Sequence, residues 1–237
     1  QLRHGNCPPD LYQHLQERAV DESALLRKNE KGILPTKLVV FRSGIEEENK
    51  RMLDALSGEE VEYVCHDSGP EELLEGMGKH LSHIPAVLSL KIGAQVCLTR
   101  NLNVTAGLTN GARGVVTGFD PRGLPLVRFN HHPQIQTIKP VTYTYRNLAG
   151  PDVAKRRQVP LCLAWVTSIH KSQGMTLDHV VADLRGIFEF GQAYVAVSRA
   201  KTLEGLSLLG LSPRIFRADP RICAFYNQLR RDQELLV

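Results

Sequence analysis

The pattern that most restricts the fold of this chain is an alternation of strand-like and helix-like segments that stops, gives way to short β-type runs, and then resumes. Strand signals at Ile33 to Phe41, Glu60 to His66 and Ala94 to Thr99 are spaced by helical patterns at about Ile45 to Leu56 and Pro70 to Leu81. A further helix is expected over Pro8 to Ala19, where Pro8-Pro9-Asp10 suits an N-terminus and Leu11, Leu15 and Ala19 share a face. Residues 112–146 are different: Gly114 to Phe119, Leu124 to Phe129 and Ile135 to Arg146 are broken by Asn110-Gly111, Pro121, Gly123 and Pro133, as in a small antiparallel module. From Pro160 the alternation returns, with strands at Leu161 to Val166, His179 to Leu184 and Leu206 to Leu209, and helices near Gln192 to Ala200 and Arg221 to Arg231. Two α/β stretches around a β-rich insert imply one α/β layer domain interrupted by a small barrel.

Charge follows the same division. Residues 1–90 carry 10 Lys and Arg against 16 Asp and Glu, residues 91–150 carry 7 against 1, and residues 151–237 carry 12 against 8. The insert region, with Lys91, Arg100, Arg113, Arg122, Arg128, Lys139 and Arg146 opposed only by Asp120, reads either as a field that attracts a polyanion or as a solvated basic face. Five scattered cysteines form no C-x-x-C pair, so neither a zinc site nor a disulfide framework is indicated, and a reducing compartment suits them. No apolar run is long enough to span a bilayer, so no membrane partner is expected. A start at Gln1 rather than Met is read as the mark of a fragment or processed product.

The densest polar cluster is Thr167-Ser-Ile-His-Lys-Ser-Gln-Gly-Met-Thr176, directly after an apolar strand signal. Ligands of open α/β sheets sit at the carboxyl ends of strands, where a strand-to-helix turn offers backbone N–H groups to an anion. Hydroxyls and amides there can bond phosphate or base edges, and Lys171 adds charge. The competing reading is a helix N-cap at Thr167 or Ser168 with an exposed first turn. Arg199, within Ala193-Tyr-Val-Ala-Val-Ser-Arg-Ala-Lys201, needs an anion, either a structural carboxylate or a nucleotide phosphate. Arg42, after the strand ending at Phe41, poses the same question. There is no G-x-x-x-x-G-K-[ST]; Gly76-Met-Gly-Lys79 has the wrong spacing, and Asp183, after an apolar run, is read as structural. This chain therefore lacks the means to cradle nucleotide phosphates and magnesium alone. No metal site, hydrolase elbow or His-Glu-x-x-His pair is present in the sequence.

In combination, Leu163-Ala-Trp-Val-Thr-Ser-Ile-His-Lys-Ser-Gln-Gly-Met-Thr-Leu-Asp178 and Gly191-Gln-Ala-Tyr-Val-Ala-Val-Ser-Arg-Ala-Lys201 resemble helicase motifs V and VI of the petite-integration-frequency (PIF) DNA helicases, the RecD-like branch of superfamily 1. Leu90 to Leu102 with Thr109 to Val116, and Ile33 to Leu38 with Arg42 at the motif IV position, resemble the same family in the same order. The resemblance implies a second RecA-like domain over residues 33–110 and 160–237, a Src-homology-type β-barrel insert over 111–159, and a tail of the first RecA-like domain over 1–32. It implies an ATP-dependent 5′-to-3′ DNA helicase acting in repair, recombination or telomere maintenance, in nucleus or mitochondrion, or in bacterial cytoplasm. ATP and magnesium would be held mainly by the first RecA-like domain, upstream of this chain, and single-stranded DNA would be the partner. Residue by residue, Arg199 matches the arginine finger and Arg42 the motif IV arginine. Gln173 and Gly174, with Lys171 close by, would contact nucleotide, while Ser168, His170 and Thr167 would contact or support the DNA strand. The alternative is a truncated or pseudo-helicase that binds single-stranded DNA or a partner through its basic insert without turnover.

Overall fold

The computed structural model describes residues 1–41, 43–146 and 153–234. Its strands are β1 (Thr36–Val39), β2 (Val61–Val64), β3 (His66–Ser68), β4 (Val87–Leu90), β5 (Gln95–Leu98), β6 (Arg113–Phe119), β7 (Pro125–Phe129), β8 (Gln136–Thr137), β9 (Val141–Arg146), β10 (Val153–Gln158), β11 (Leu161–Leu163), β12 (Val166–Ser168), β13 (Val180–Asp183) and β14 (Leu206–Leu209). Its helices are α1 (Pro9–Gln16), α2 (Ile45–Asp54), α3 (Glu71–His80), α4 (Gln192–Val197) and α5 (Pro220–Glu234). The fold is α/β, in two compact units: residues 1–27, 35–45 and 166–237, and residues 28–34 and 46–165. The β-rich unit takes in residues 28–34 and 46–165, and residues 1–27 group with the parallel sheet.

The first unit is built on a parallel four-stranded sheet in the order β12-β1-β13-β14. β13 lies between β1 and β14 with all four residues buried, so Val180 to Ala182 form a continuous apolar run rather than an alternation. Successive residues still serve opposite faces. Val180 and Ala182 join Leu38, Leu206 and Leu208 against Ala193 and Ala196 of α4 and Leu15 of α1, whereas Val181 packs with Leu209 and Ala24. Beyond β14, Val20 donates its N–H to Leu208 O at 3.0 Å and Leu208 donates to Arg18 O at 2.8 Å, which extends the sheet edge. Asp183 is structural, as expected: it receives Arg185 through two hydrogen bonds of 2.8 and 2.6 Å and Lys37 at 3.5 Å.

The second unit is antiparallel throughout, with sheets β2-β4, β3-β10-β9 and β11-β5-β6-β7-β8. The β6–β7 hairpin shows why its turn was legible. Asp120 Oδ1 accepts the N–H groups of Arg122 and Leu124 at 2.9 and 2.8 Å, and Gly123 takes the positive φ of 77° that the turn requires. α3 lays Met77 and Leu81 against Tyr143 of β9 and Ala154 of β10. The tip between β9 and β10 lies outside the described residues.

Three expected strands turn out to be divided. Leu161 to Val166 is two strands in two units, β11 antiparallel to β5 and β12 parallel to β1. Glu60 to His66 breaks at Cys65 into β2 and β3, which join different sheets, and Ile135 to Arg146 breaks into β8 and β9. An unbroken β-type run states that a segment is extended, and is silent on which partner each half finds. β10 was not anticipated because its residues include Lys155, Arg156 and Arg157. They alternate buried and exposed, with the inward Arg156 matched by Asp67.

Candidate functional site

The polar cluster occupies the carboxyl end of β12. Thr167 and Ser168 lie within the strand, in register with Leu38 and Val39, and the chain then turns tightly through residues 169–174. No helix follows, so neither the expected strand-to-helix turn nor the helix N-cap at Thr167 or Ser168 is present. Two buried apolar side chains instead pin the loop, Ile169 at its start and Leu177 at its end. Between them the residues sort by burial. Ser168 and Ser172 are fully buried, whereas Lys171, Gln173 and Gly174 are exposed.

The buried serines are occupied internally. Ser168 Oγ accepts the Lys171 N–H at 3.2 Å, and the Ser172 hydroxyl donates to Ile169 O at 2.7 Å. Ser168, expected to touch a DNA strand, is enclosed and shapes the turn. Gly174 stands at φ 79° with open space around it, so conformation rather than crowding is what favours glycine there. His170 is partly exposed, and its Nε2 lies 3.0 Å from Glu189 Oε2. Two exposed phenylalanines form a pair: Phe188, adjacent to Glu189 in sequence, stacks on Phe41 with ring centroids 6.0 Å apart. Arg42 lies outside the described residues.

Arg199 stands just past α4, which ends at Val197, rather than on the helix. The loop and this segment are clasped together: Leu177 donates its N–H to Arg199 O at 2.8 Å and Leu177 O accepts from Lys201 N–H at 2.9 Å. The guanidinium reaches back over the clasp. Its Nη1 donates to Met175 O at 3.1 Å and Ser172 O at 3.4 Å, Nε to Val195 O at 3.0 Å, and Nη2 to Ser198 Oγ at 2.9 Å. Among the described residues it has no carboxylate partner, so the structural ion pair that was one reading of it is not formed. Four of its five N–H groups are engaged, all by neutral oxygens. The structure thus brings Arg199 together with the loop of Lys171, Gln173 and Gly174, although 25 residues separate Arg199 from Gly174 in the chain.

Such an assembly can bind an anion, since a guanidinium on neutral carbonyls keeps its charge for an external partner. Among the described residues no group of three or more His, Cys, Asp or Glu is placed to hold a metal ion. The basic insert is only partly a surface. Arg100, Arg122, Arg128, Lys139 and Arg146 are exposed, but Arg113 is buried. No helix is long and apolar enough to cross a membrane among the described residues. Sequence reasoning missed Glu189 and the aromatic pair, because nothing in a linear pattern signals a partner for His170 nineteen residues away.

Known proteins resemble this chain along nearly its whole length. Residues 80–119 match the family described as DNA helicase Pif1, 2B domain. The human ATP-dependent DNA helicase PIF1 is 41% identical over 239 residues, which covers 99% of this chain and 35% of the human protein. The crystal structure of a Pif1 helicase from Candida albicans superposes with a TM-score of 0.71 at 33% identity, covering 96% of this chain and 56% of that one. A Bacteroides Pif1 helicase solved with ADP-AlF3 and single-stranded DNA shares the fold at a TM-score of 0.64 and 22% identity, covering 97% of this chain and 52% of that one. The chain spans about a third of the length of the vertebrate relatives it matches.

Proposed function

Since this chain belongs to the Pif1 helicase family, we propose that it is the C-terminal portion of an ATP-dependent 5′-to-3′ DNA helicase, with Arg199 as arginine finger and the 167–176 loop as part of the single-strand channel. In this reading the parallel unit is the second RecA-like domain, the strands within 111–159 form a small barrel insert, and a first RecA-like domain lies upstream. The observation that carries it is the clasp between Leu177 and the 199–201 segment, which fixes the Arg199 guanidinium over the loop that bears Lys171, Gln173 and Gly174.

The residues present fit the outer phosphate oxygens of ATP rather than its magnesium ion. Arg199 has one N–H uncommitted among the described residues, and its carbonyl partners are weaker acceptors than a charged phosphate. Magnesium would be held through the upstream domain and would supply charge neutralisation on the phosphates. Arg199 would exchange carbonyl oxygens for γ-phosphate oxygens and stabilise the charge that builds in the transition state. Gln173 and the Gly174 backbone would orient on the nucleotide, with Lys171 adding positive field and Arg42 serving from the motif IV position. His170, released from Glu189, would contact the DNA strand, with Thr167 supporting it and Ser168 holding the turn. DNA repair, recombination and telomere maintenance are the processes this activity would serve.

The test joins this chain to a first RecA-like domain from a family member and measures steady-state ATPase beside fluorescence-anisotropy titration of single-stranded DNA at fixed salt. Arg199→Ala is expected to abolish turnover while leaving DNA affinity within about twofold, since fingers are worth about 10³ to 10⁵ in rate. Near-normal turnover would refute the finger assignment. The isolated 237-residue chain is expected to show no DNA-stimulated ATPase, because it has no backbone nest and lysine for the β- and γ-phosphates.

A further inference from the structure

Three strands of the second unit place a buried charge beside two thiols. Cys162 of β11 is the direct cross-strand partner of Cys97 of β5, and Cys97 is in turn the partner of Arg113 of β6. Directly paired residues project to the same face of a sheet, so the three side chains form one row. The two Sγ atoms lie 3.3 Å apart in a thiol hydrogen bond. Arg113 is 4% exposed, and none of its three guanidinium nitrogens reaches a hydrogen-bond acceptor. A buried guanidinium without an acceptor is costly, which is unusual in a folded domain unless a neighbouring group can supply negative charge.

We propose that Cys97 and Cys162 are a redox pair that closes to a disulfide under peroxide, with Arg113 as the charge that primes it. An antiparallel pair holds its Cα atoms about 4.5 or 5.5 Å apart, and both distances fall within the range a disulfide spans, about 4.4 to 6.8 Å. The bond therefore needs rotation of two side chains and no movement of the strands. The Cys162 hydrogen bond and the nearby positive charge of Arg113 outweigh burial and draw the Cys97 thiol below its ordinary value, whereas burial pushes the thiols of Cys7 and Cys65 up. Arg113 acts on the pair chiefly through its charge.

The chemistry balances with hydrogen peroxide as the two-electron oxidant. When the pair gives one proton to solvent the other is shared between the two sulfurs, and passing it to Cys97 leaves the thiolate on Cys162, the less buried of the two. That thiolate attacks a peroxide oxygen; an S–O bond forms, the O–O bond breaks, and the leaving hydroxide is neutralised to water by the proton the pair released to solvent. The Cys97 sulfur then attacks the Cys162 sulfenic acid. An S–S bond forms, the S–O bond breaks, and the leaving hydroxide departs as water with the Cys97 proton. Two sulfurs have each lost one electron, and peroxide has become two waters.

The test exposes the 237-residue chain to dilute peroxide at neutral pH, quenches with an alkylating agent under denaturing conditions, and maps peptides by mass spectrometry. The expected result is a 97–162 cross-linked peptide, a mass loss of about 2 Da reversed by dithiothreitol, and closure at least about fivefold faster than oxidation of Cys7 or Cys65. Arg113→Met is expected to slow closure severalfold, and Arg113→Lys to keep most of it. If the Met variant does not fold, the pH profile of closure in the unaltered chain decides: it must rise at lower pH than alkylation of Cys7 and Cys65. Cys97 and Cys162 remaining fully alkylatable while other cysteines oxidise, or closure with the pH profile of an ordinary thiol, would overturn the proposal.

Discussion

Two arginines, one in each unit, show how a guanidinium is kept for structure or kept for use. Arg156 of β10 is largely buried and meets Asp67 of β3 through paired hydrogen bonds of 2.8 and 2.7 Å, with a third bond of 3.1 Å to Ile84 O. Its charge is neutralised on the spot, and its role ends with holding β3, β10 and the segment at Ile84 together. Arg199 makes four bonds, one more, but three go to backbone carbonyls and one to a hydroxyl, beside an exposed polar loop. Neutral acceptors position a cation without satisfying its charge. The acceptors, more than the count of hydrogen bonds, separate a structural arginine from one available to an anion.

The comparison can be broken at several strengths. Arg199→Lys in the joined protein should rescue almost none of the ATPase lost in Arg199→Ala, because an ammonium cannot keep the fork on Met175 and Ser172 carbonyls while meeting a phosphate; a lysine variant with more than about a tenth of normal turnover would show that point charge suffices. Chemical denaturation of the same two variants should shift little. Asp67→Asn, by contrast, should cost about 2 to 3 kcal/mol of stability in the isolated chain by leaving Arg156 without its counter-charge, and a change below about 0.5 kcal/mol would place that pair among solvent-screened contacts.

A weaker effect is expected at His170. Its replacement by Ala should weaken single-strand binding by about 1 to 3 kcal/mol if the ring stacks on a base, and by less if it only bonds phosphate. Glu189→Gln should act in the opposite direction by freeing the imidazole. Equal affinities for the three proteins in anisotropy titrations would remove His170 from the channel. The smallest effect concerns acid. The hydrogen bonds from Arg156 outweigh burial and hold the Asp67 carboxyl below the ordinary aspartate value of 3.8. A group whose value is lowered on folding stabilises the fold above its unfolded value, and this contribution is lost as pH falls through the folded one. Thermal melts should therefore show a steeper loss of stability below about pH 4 for the unaltered chain than for Asp67→Asn.

What the sequence determined by itself is local. The apolar run at β13, the Asp120 to Gly123 turn, the helices α2 and α3 and the strand β14 follow from short-range patterns of burial and turn chemistry, and all are found within a few residues of where they were expected. The motif residues could be singled out because Thr167 to Thr176 puts more polar groups after an apolar run than packing uses. The tertiary structure decided partnership. It sent the two halves of Leu161 to Val166 to different units, buried Ser168 while exposing Lys171 and Gln173, and closed Arg199 onto the carbonyls of Ser172 and Met175. It also set Cys97, Arg113 and Cys162 in one row, although the two cysteines are 65 residues apart. Hydrophobic periodicity and turn preference act over a few residues and can be read along the chain. Which strand pairs with which, and which charge meets which acceptor, depends on contacts between residues far apart in sequence, and those exist only once the chain has packed.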